Sequence, residues 1–296
     1  MITRGLSRCW FLRRKIKDVR PIRSAATWWR VRAAGLKFPT HAEPEVSVLI
    51  SMYGQPRLTL EALLALGAVR HEAKIEVLLA DDQSPDGSGR FFQAVPGLRL
   101  FQNAENLGYL RTNNFLASQA RGKFLLLLNN DTRIQPGALG ALLRVFQEHP
   151  DAGMVGAKLL NPNGTLQEAG CQVVASGAAC KRGWGQDERR PEYNRLEPAD
   201  YCSAAGVLIP RALFQEVGGF DERYLPSHYE DVDLAFKVRA AGKVVYYQPQ
   251  ARIIHVEGAT CSSLGPLNHT SANQPKFREK WSAALDAGDY PSRLAT

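Results

Sequence analysis

Apolar residues change their period repeatedly between residues 45 and 256, and each change marks an element. Val46-Ser-Val-Leu-Ile50, Ile75-Glu-Val-Leu-Leu-Ala80 and Leu98-Arg-Leu-Phe101 are short apolar runs bounded by turn formers, which predicts strands covered on both faces. Between the first two, Leu58, Leu60, Leu63, Leu64 and Leu66 predict an apolar helix, and Gln83-Ser-Pro-Asp-Gly-Ser88 is a turn leading into a helix that contains Phe91 and Phe92. A loop and helix over 106–120 precede the stretch from Lys123 to Pro136, whose apolar run ends abruptly in two amides, a carboxylate and a threonine. Gly137 to His149 carries Leu139, Leu142, Leu143 and Phe146 on one face and stops at Pro150. Val155 to Leu160, followed by Asn161-Pro-Asn-Gly164, predicts a hairpin with a tight primed turn. Residues 182–200, polar and interrupted by Pro191 and Pro198, read as a mobile loop. Beyond them come a strand at Gly206 to Ile209, helices at Arg211 to Val217 and Tyr229 to Gly242, and two strands, Gly242 to Tyr247 and Ala251 to Val256. Phe277 and Trp281, four residues apart, predict a tail helix that packs back on the domain.

Strands alternating with helices at this spacing predict an α/β fold with a mostly parallel sheet and right-handed crossovers. Ligands of such sheets lie outside the carboxyl ends of the strands, and two of these strands end in acid. Asp131, after Asn129 and Asn130, can give one oxygen to a hard divalent cation that completes its shell with phosphates and water. The same three residues are also ordinary turn formers. Of Asp81 and Asp82, one is suited to accept hydrogen bonds from a nucleobase or ribose while the other caps the loop, with a purely structural turn as the alternative. The helix from Tyr229 opens with Glu230, Asp231 and Asp233. The helix dipole favours each by roughly 0.3 to 1 kcal/mol, yet three carboxylates in four residues also repel one another, which points to chemistry. His255, near the end of the last strand, is an ordinary structural histidine unless a metal lies beside it.

Composition narrows the field. The 296 residues are 45% apolar, which excludes general disorder. Cys9, Cys171, Cys180, Cys202 and Cys261 are odd in number and contain no C-x-x-C, so neither a disulfide framework nor a structural zinc site is indicated and a reducing cytosol is the simplest location. The net charge of +8 at pH 7 is concentrated in a basic arm over residues 1–44, where Asp18 alone opposes the Lys and Arg residues that precede position 40. Trp10, Phe11, Leu12, Trp28 and Trp29 stand between those charges, as on a segment lying on an anionic membrane surface at the inner face of the cell membrane. A solvated extension is the alternative, and nucleic acid is the weakest of the three partners. No run approaches the ~18 apolar residues of a membrane span. Ser51 to Arg57 contains only Gly54, so the glycine-rich phosphate loops of dehydrogenases and nucleotidyltransferases are missing.

VSVLISMYG, IEVLLADDQSPDGS, NLGYLRTNN, FLLLLNNDTRIQPG, GGFDERY, YEDVDLAFKVRAAGK and IIHVEG occur in the order and spacing of family 2 glycosyltransferases of the GT-A fold. The chain most resembles the bacterial branch that builds O-antigen and other surface polysaccharides, rhamnosyltransferase-like members included. The resemblance covers Val46 to Gly258. It implies a Rossmann-like, mostly parallel sheet in a nucleotide-sugar-binding half, residues 45–160, a smaller mixed acceptor-binding and catalytic half, residues 161–262, and a tail over 263–296. It also implies inverting transfer of a sugar from a nucleoside-diphosphate sugar to a hydroxyl of a glycan or lipid-linked acceptor, with Mn2+ or Mg2+ as cofactor. Carried over by position, Ser51, Tyr53 and Asp82 would line the nucleoside, and Asp131 would be the metal-binding last position of a D-x-D motif whose first position is Asn129. His255 would join the metal or pyrophosphate site, and Asp231 would be the general base with Glu230 beside it. Asn129 lowers the negative charge of the motif, and Gly54 stands where many relatives carry Asn.

Inverting transfer needs a base within reach of the acceptor hydroxyl and a cation to absorb charge on the departing diphosphate. An aspartate with an ordinary pKa of ~4 is ionised at neutral pH and meets the first need. A non-catalytic glycan- or nucleotide-binding protein on the same fold is the alternative, motivated by the reduced charge of Asn129-Asn130-Asp131. Acceptor choice is expected to lie in residues 165–201 and the tail.

Overall fold

In a computed structural model, the apolar runs at the start of the chain become β1 (Val46–Met52), β2 (Ile75–Asp81) and β3 (Leu98–Gln102), all parallel. Residues 35–256, 269–288 and 290–291 are described, and all structural statements concern them; most of the expected basic arm, residues 1–34, lies outside. α1 (Pro56–Val69) joins β1 to β2 and opens on proline, whose missing N–H is one of the donors a first helical turn leaves unpaired anyway. The helix predicted around Phe91 and Phe92 is a short 3-10 turn, Ser88–Phe92. Gly89 sits so close to the Asp81 side chain that a Cβ there would overlap it, and Gly87 at φ 63° breaks the turn before it.

α2 (Gly108–Gln119) leads to β4 (Phe124–Leu128), all five residues of which are buried, and then to β5 (Thr132–Ile134) and α3 (Ala138–Glu148). β6 (Ala152–Leu160) and β7 (Leu166–Glu168) form the expected hairpin. Its turn is not of the primed type. Of Asn163 and Gly164 only the glycine has positive φ (85°), and the Gly164 N–H closes on the Asn161 carbonyl at 2.9 Å. Pro162, with φ fixed near −65°, dictates that ordinary turn and leaves glycine to absorb the bulge.

The chain continues through β8 (Cys171–Val173), β9 (Ala179–Lys181), β10 (Glu197–Pro198), β11 (Gly206–Pro210), α4 (Arg211–Glu216), α5 (Glu230–Ala240), β12 (Val244–His255), α6 (His269–Lys280) and α7 (Ser282–Ala287). Two strands were expected between 242 and 256, but a single β12 runs through. Its register shifts between Gln248 and Arg252, where Pro249 has no N–H for the ladder. Residues 182–200 are fastened rather than loose: Lys158 Nζ donates to the Glu188 carbonyl (3.1 Å) and Asn194 Oδ1 (2.6 Å), and Tyr247 donates to the Tyr193 carbonyl (3.0 Å). In the tail, Phe277 and Trp281 pack on Phe236 with ring centroids at 4.9 and 5.5 Å.

Ten strands form one sheet in the order β10-β12-β6-β11-β4-β1-β2-β3, with β5 on β12 and β7 on β6. β1, β2, β3 and β4 are parallel, β6 and β12 are parallel, and β11 runs antiparallel between β4 and β6. The halves expected on either side of Leu160 therefore share one sheet. The chain leaves β1 toward β2 and β3, then returns to its other side as β4, which makes the β1/β4 edge a topological switch point. Among the described residues no helix is long and apolar enough to cross a membrane.

Candidate active site

The sheet topology delivers polar groups to one edge. β1, β2, β4 and β12 end there, and antiparallel β11 begins there, so Ser203, Ala204 and Ala205 lie beside the residues that follow β4. β7 folds back along β6 and adds Gln167 and Glu168. Together they wall a cleft of about 390 Å³ that Ser51, Tyr53, Asp82, Asp131, Glu230, Asp231 and His255 all line. Every site residue expected from the sequence is thus in one place. Glu168, Lys181, Tyr201 and His228, which lie in none of the quoted motifs, line it too, as does Tyr109, to which the NLGYLRTNN block assigned no role.

On the β1/β2 side, Asp82 is buried and takes hydrogen bonds from Asn103 Nδ2 (2.7 Å), Leu107 N (2.8 Å) and Gly108 N (2.8 Å). Its carboxylate therefore holds the loop that starts α2, and of roughly four lone-pair sites one is left for a ligand. Asp81 receives Ser84 N at 2.9 Å, outside the cleft wall, so both acids anchor loops. Gly54 N donates to Ser84 Oγ (2.8 Å), tying the turn after β1 to the turn after β2. Ser51 and half-buried Tyr53 complete this side.

After β4 the chain turns through Asn129, Asn130 and Asp131. Asn130 points its amide at Thr59 Oγ1 of α1 (3.0 Å) and is structural. Asn129 Oδ1 and Asp131 Oδ1 are buried oxygens without a hydrogen-bond donor. His255 Nδ1 meets Gln167 Oε1 at 2.7 Å, while Gln167 Nε2 donates to Asn161 Oδ1 (3.2 Å) and the His255 carbonyl (3.3 Å). That network puts a ring proton on Nδ1 and turns Nε2 toward Asp131 Oδ1 at 3.2 Å and the Asn129 amide nitrogen at 3.5 Å. An imidazole lone pair and a carboxylate oxygen at that distance repel unless a proton or a metal cation lies between them. The orphaned oxygens and the imidazole nitrogen therefore fit a divalent cation, although no group of three His, Cys, Asp or Glu is assembled among the described residues. The rest of such a shell has to come from the Asn129 amide, substrate oxygens and water.

Across the cleft, Glu230 and Asp231 open α5. The preceding His228 (φ 74°) and Tyr229 (φ 76°) are consecutive left-handed residues with side chains, each costing of order 1 to 3 kcal/mol. Tyr229 is held by its hydroxyl, which donates to the Gly177 carbonyl (3.0 Å) and accepts from Ala179 N (3.3 Å). Asp231 Oδ1 accepts from Val232 N (2.9 Å) and Oδ2 from Ala204 N at a long 3.4 Å; Glu230 Oε2 is buried without a donor. Burial raises both carboxyls above their ordinary range, and the charge of Asp231 raises Glu230 further. The ordinary aspartate pKa expected for the base is thus corrected upward, because the cleft strips water from it. Asp233 faces away and bonds Tyr224, Lys280 and Trp281 instead.

Residues 47–218 match the sequence model of the family described as Glycosyl transferase family 2. The O-antigen biosynthesis protein RfbC of Myxococcus xanthus is 33% identical over 238 residues, 76% of this chain and 18% of RfbC. The N-acetylglucosaminyl-diphospho-decaprenol L-rhamnosyltransferase of Mycobacterium tuberculosis is 29% identical over 77% of this chain and 81% of its own length. Among solved structures, GalNAc-T7 with UDP, GalNAc and Mn2+ superposes with a TM-score of 0.63 at 16% identity, covering 86% of this chain and 51% of that one. S. aureus TarS 1-349 with UDP-GlcNAc gives 0.53 at 19% identity, over 75% and 62% of the two chains. At such identities these structures establish the fold, which is that of GT-A glycosyltransferases.

Proposed function

This chain belongs to glycosyl transferase family 2, and on that premise we propose that it transfers a sugar, with inversion, from a nucleoside-diphosphate sugar to a hydroxyl of a glycan or lipid-linked acceptor in surface-polysaccharide synthesis. The observation that carries the reading is the single cleft in which strand-end residues Ser51, Tyr53, Asp82 and Asp131 face the helix-borne pair Glu230 and Asp231. The relatives' names support the setting: one serves O-antigen synthesis and another moves rhamnose to a lipid-diphosphate sugar.

Ser51, Tyr53 and the remaining lone pair of Asp82 receive the nucleoside. Asp131, Asn129 and His255 would hold Mn2+ or Mg2+, which supplies charge neutralisation for a diphosphate. Asp231 is the base: its two oxygens spend lone pairs on Val232 N and, weakly, on Ala204 N, and still have capacity for an acceptor hydroxyl. Its raised proton affinity strengthens it, since a base works best with a pKa near the working pH. Glu230, raised as well, stays protonated more readily beside it and spares Asp231 a second negative neighbour. Tyr109 donates to the Ala204 carbonyl (3.1 Å), and burial among Glu230, Asp231 and Asp131 keeps its phenol protonated. Residues 167–201 reach the cleft through Gln167, Glu168, Lys181 and Tyr201, which supports this segment as the acceptor side.

The test is a panel of nucleoside-diphosphate sugars with and without Mn2+ or Mg2+, read by nucleoside diphosphate release in the presence of lipid-linked glycans. Asp231→Asn should lose on the order of 10² to 10⁴ in kcat while keeping donor affinity. Full turnover in that variant removes Asp231 as base. Binding without turnover across the panel favours the non-catalytic reading. Salt-sensitive binding to anionic vesicles, lost on deleting residues 1–37, is expected of the basic arm.

A further inference from the structure

We propose that the tail helix α6 completes the catalytic site through Asn273, a positioning residue that sets the turn from which Glu230 and Asp231 project. This inference rests on the reading of Asp231 as the base. It concerns residues that lie beyond the 47–218 span of the family match.

Asn273 is buried, 1% exposed, on a helix where Phe277 is the other buried residue. Its Nδ2 reaches three backbone carbonyls of the loop ahead of α5: Tyr224 (2.8 Å), Ser227 (3.0 Å) and His228 (3.0 Å). Its Oδ1 accepts from Lys276 Nζ (2.8 Å), which also donates to the Arg223 carbonyl (2.7 Å). The amide has one orientation that satisfies both ends, because the reversed amide would set an oxygen against three carbonyl oxygens.

Those carbonyls belong to the segment whose next residues are the left-handed pair His228 and Tyr229 and then the two cleft carboxylates. Backbone in that region persists only where its surroundings fix it. A second grip acts one helical turn further on, where Lys280 Nζ joins Asp221 (2.8 Å) and Asp233 (2.9 Å) and Trp281 Nε1 donates to Asp233 (2.8 Å). The tail thus holds the turn and the first turn of α5, and Pro226, Ser227, His228 and Thr270 of these segments line the cleft itself. Among the described residues, none of these tail hydrogen bonds involves Ser51, Tyr53 or Asp82 on the donor side. Loosening Asn273 should therefore misplace the base and leave nucleotide binding intact.

The experiment compares the full-length wild type with Asn273→Ala, Lys276→Met and Asp231→Asn. It reads kcat for transfer, the pH profile of kcat, thermal unfolding, and binding of UDP, ADP, GDP, CDP and dTDP in turn. Asn273→Ala should lose about 100-fold in kcat, the scale of a ~1 Å misplacement, with nucleotide affinity unchanged and the acid limb of the pH profile displaced. Lys276→Met, which removes the donor that fixes the amide, should show a smaller loss of the same kind. A folded Asn273→Ala protein with native kcat overturns the proposal, and so does a loss of nucleotide affinity equal to the loss of kcat. Should Asn273→Ala fail to fold, Lys276→Met decides on the same two criteria. An active Asp231→Asn protein sinks the base reading itself, whereas an inactive one beside a fully active Asn273→Ala sinks the tail's role alone.

Discussion

Glu168→Gln tests the electrostatics of the cleft without touching the proposed base. Glu168 closes β7 at 1% exposure, and its Oε1 accepts from Ser203 N at 2.8 Å. Burial pushes its carboxyl from 4.5 to about 7; the Ser203 amide and Lys181 oppose that rise, and the charge of Asp231 adds to it. An acid whose proton affinity is higher folded than unfolded favours the fold fully below the unfolded value and loses that favour as pH rises through the folded one. The unfolded chain releases this proton near 4.5 and the folded chain near 7, so the wild type loses stability across that window. At about 1.36 kcal/mol per unit the loss is roughly 3 kcal/mol once both forms are ionised. Glutamine keeps a carbonyl for Ser203 N and has no proton to lose. Denaturant unfolding of both proteins at about pH 4 and about pH 8.5 should therefore give near equality at the lower pH and a variant roughly 3 kcal/mol more stable at the higher. The same difference at both pH values would refute a buried, proton-retaining Glu168.

Three further outcomes follow from the same geometry. The proposed base, Asp231, has a raised affinity for a proton, so kcat should fall on the acid side at a pH above the ordinary aspartate range, and the pH profile of kcat at saturating donor should show that limb. Asp82→Ala removes the acceptor of Leu107 N and leaves Asn103 Nδ2 and Gly108 N only their second partners, Thr112 Oγ1 and Asn106 Oδ1, at roughly 1 to 3 kcal/mol for the amide left without an acceptor. Isothermal titration should show weaker donor binding there, with a smaller change in kcat. Gly156→Ala puts a Cβ into the Cys202 side chain and should cost about 1 to 3 kcal/mol in unfolding free energy with activity per folded molecule kept.

Much of the fold was legible because its central strands are buried on both faces. β4 is an unbroken apolar run, β1, β2 and β6 are mainly apolar with isolated polar residues such as Ser47, Glu76 and Lys158, and the chain turns polar after their carboxyl ends. What local pattern did not carry was pairing. Nothing in the period of Val244 to His255 says that one strand passes through a bulge at Pro249, since a proline between two apolar runs reads as a break. Residues 182–200 misled for a similar reason. Their composition is that of a loop, and what fixes them is the distant Lys158 and Tyr247.

The acidic cluster at the start of α5 shows where residue type stops and geometry begins. Glu230, Asp231 and Asp233 look alike in sequence, yet residues two apart on a helix do not share a face. Asp233 turns to Lys280, Lys237 and Trp281 with no exposed side-chain surface, while the other two look into the cleft. Helical period alone does not separate them, since Glu230 and Asp233 are three apart and share a face; the partners supplied by the tail draw Asp233 away. Glu168 and Asn273 had no local signal: one reaches the cleft because β7 folds back on β6, the other reaches the loop ahead of α5 because the tail packs on Phe236. Both act on backbone amides or carbonyls of the loops that carry the candidate machinery, Ser203 in one case and Tyr224, Ser227 and His228 in the other. A motif records the groups that meet substrate. The groups that aim them bond to backbone, and those bonds leave no mark in the residues they hold.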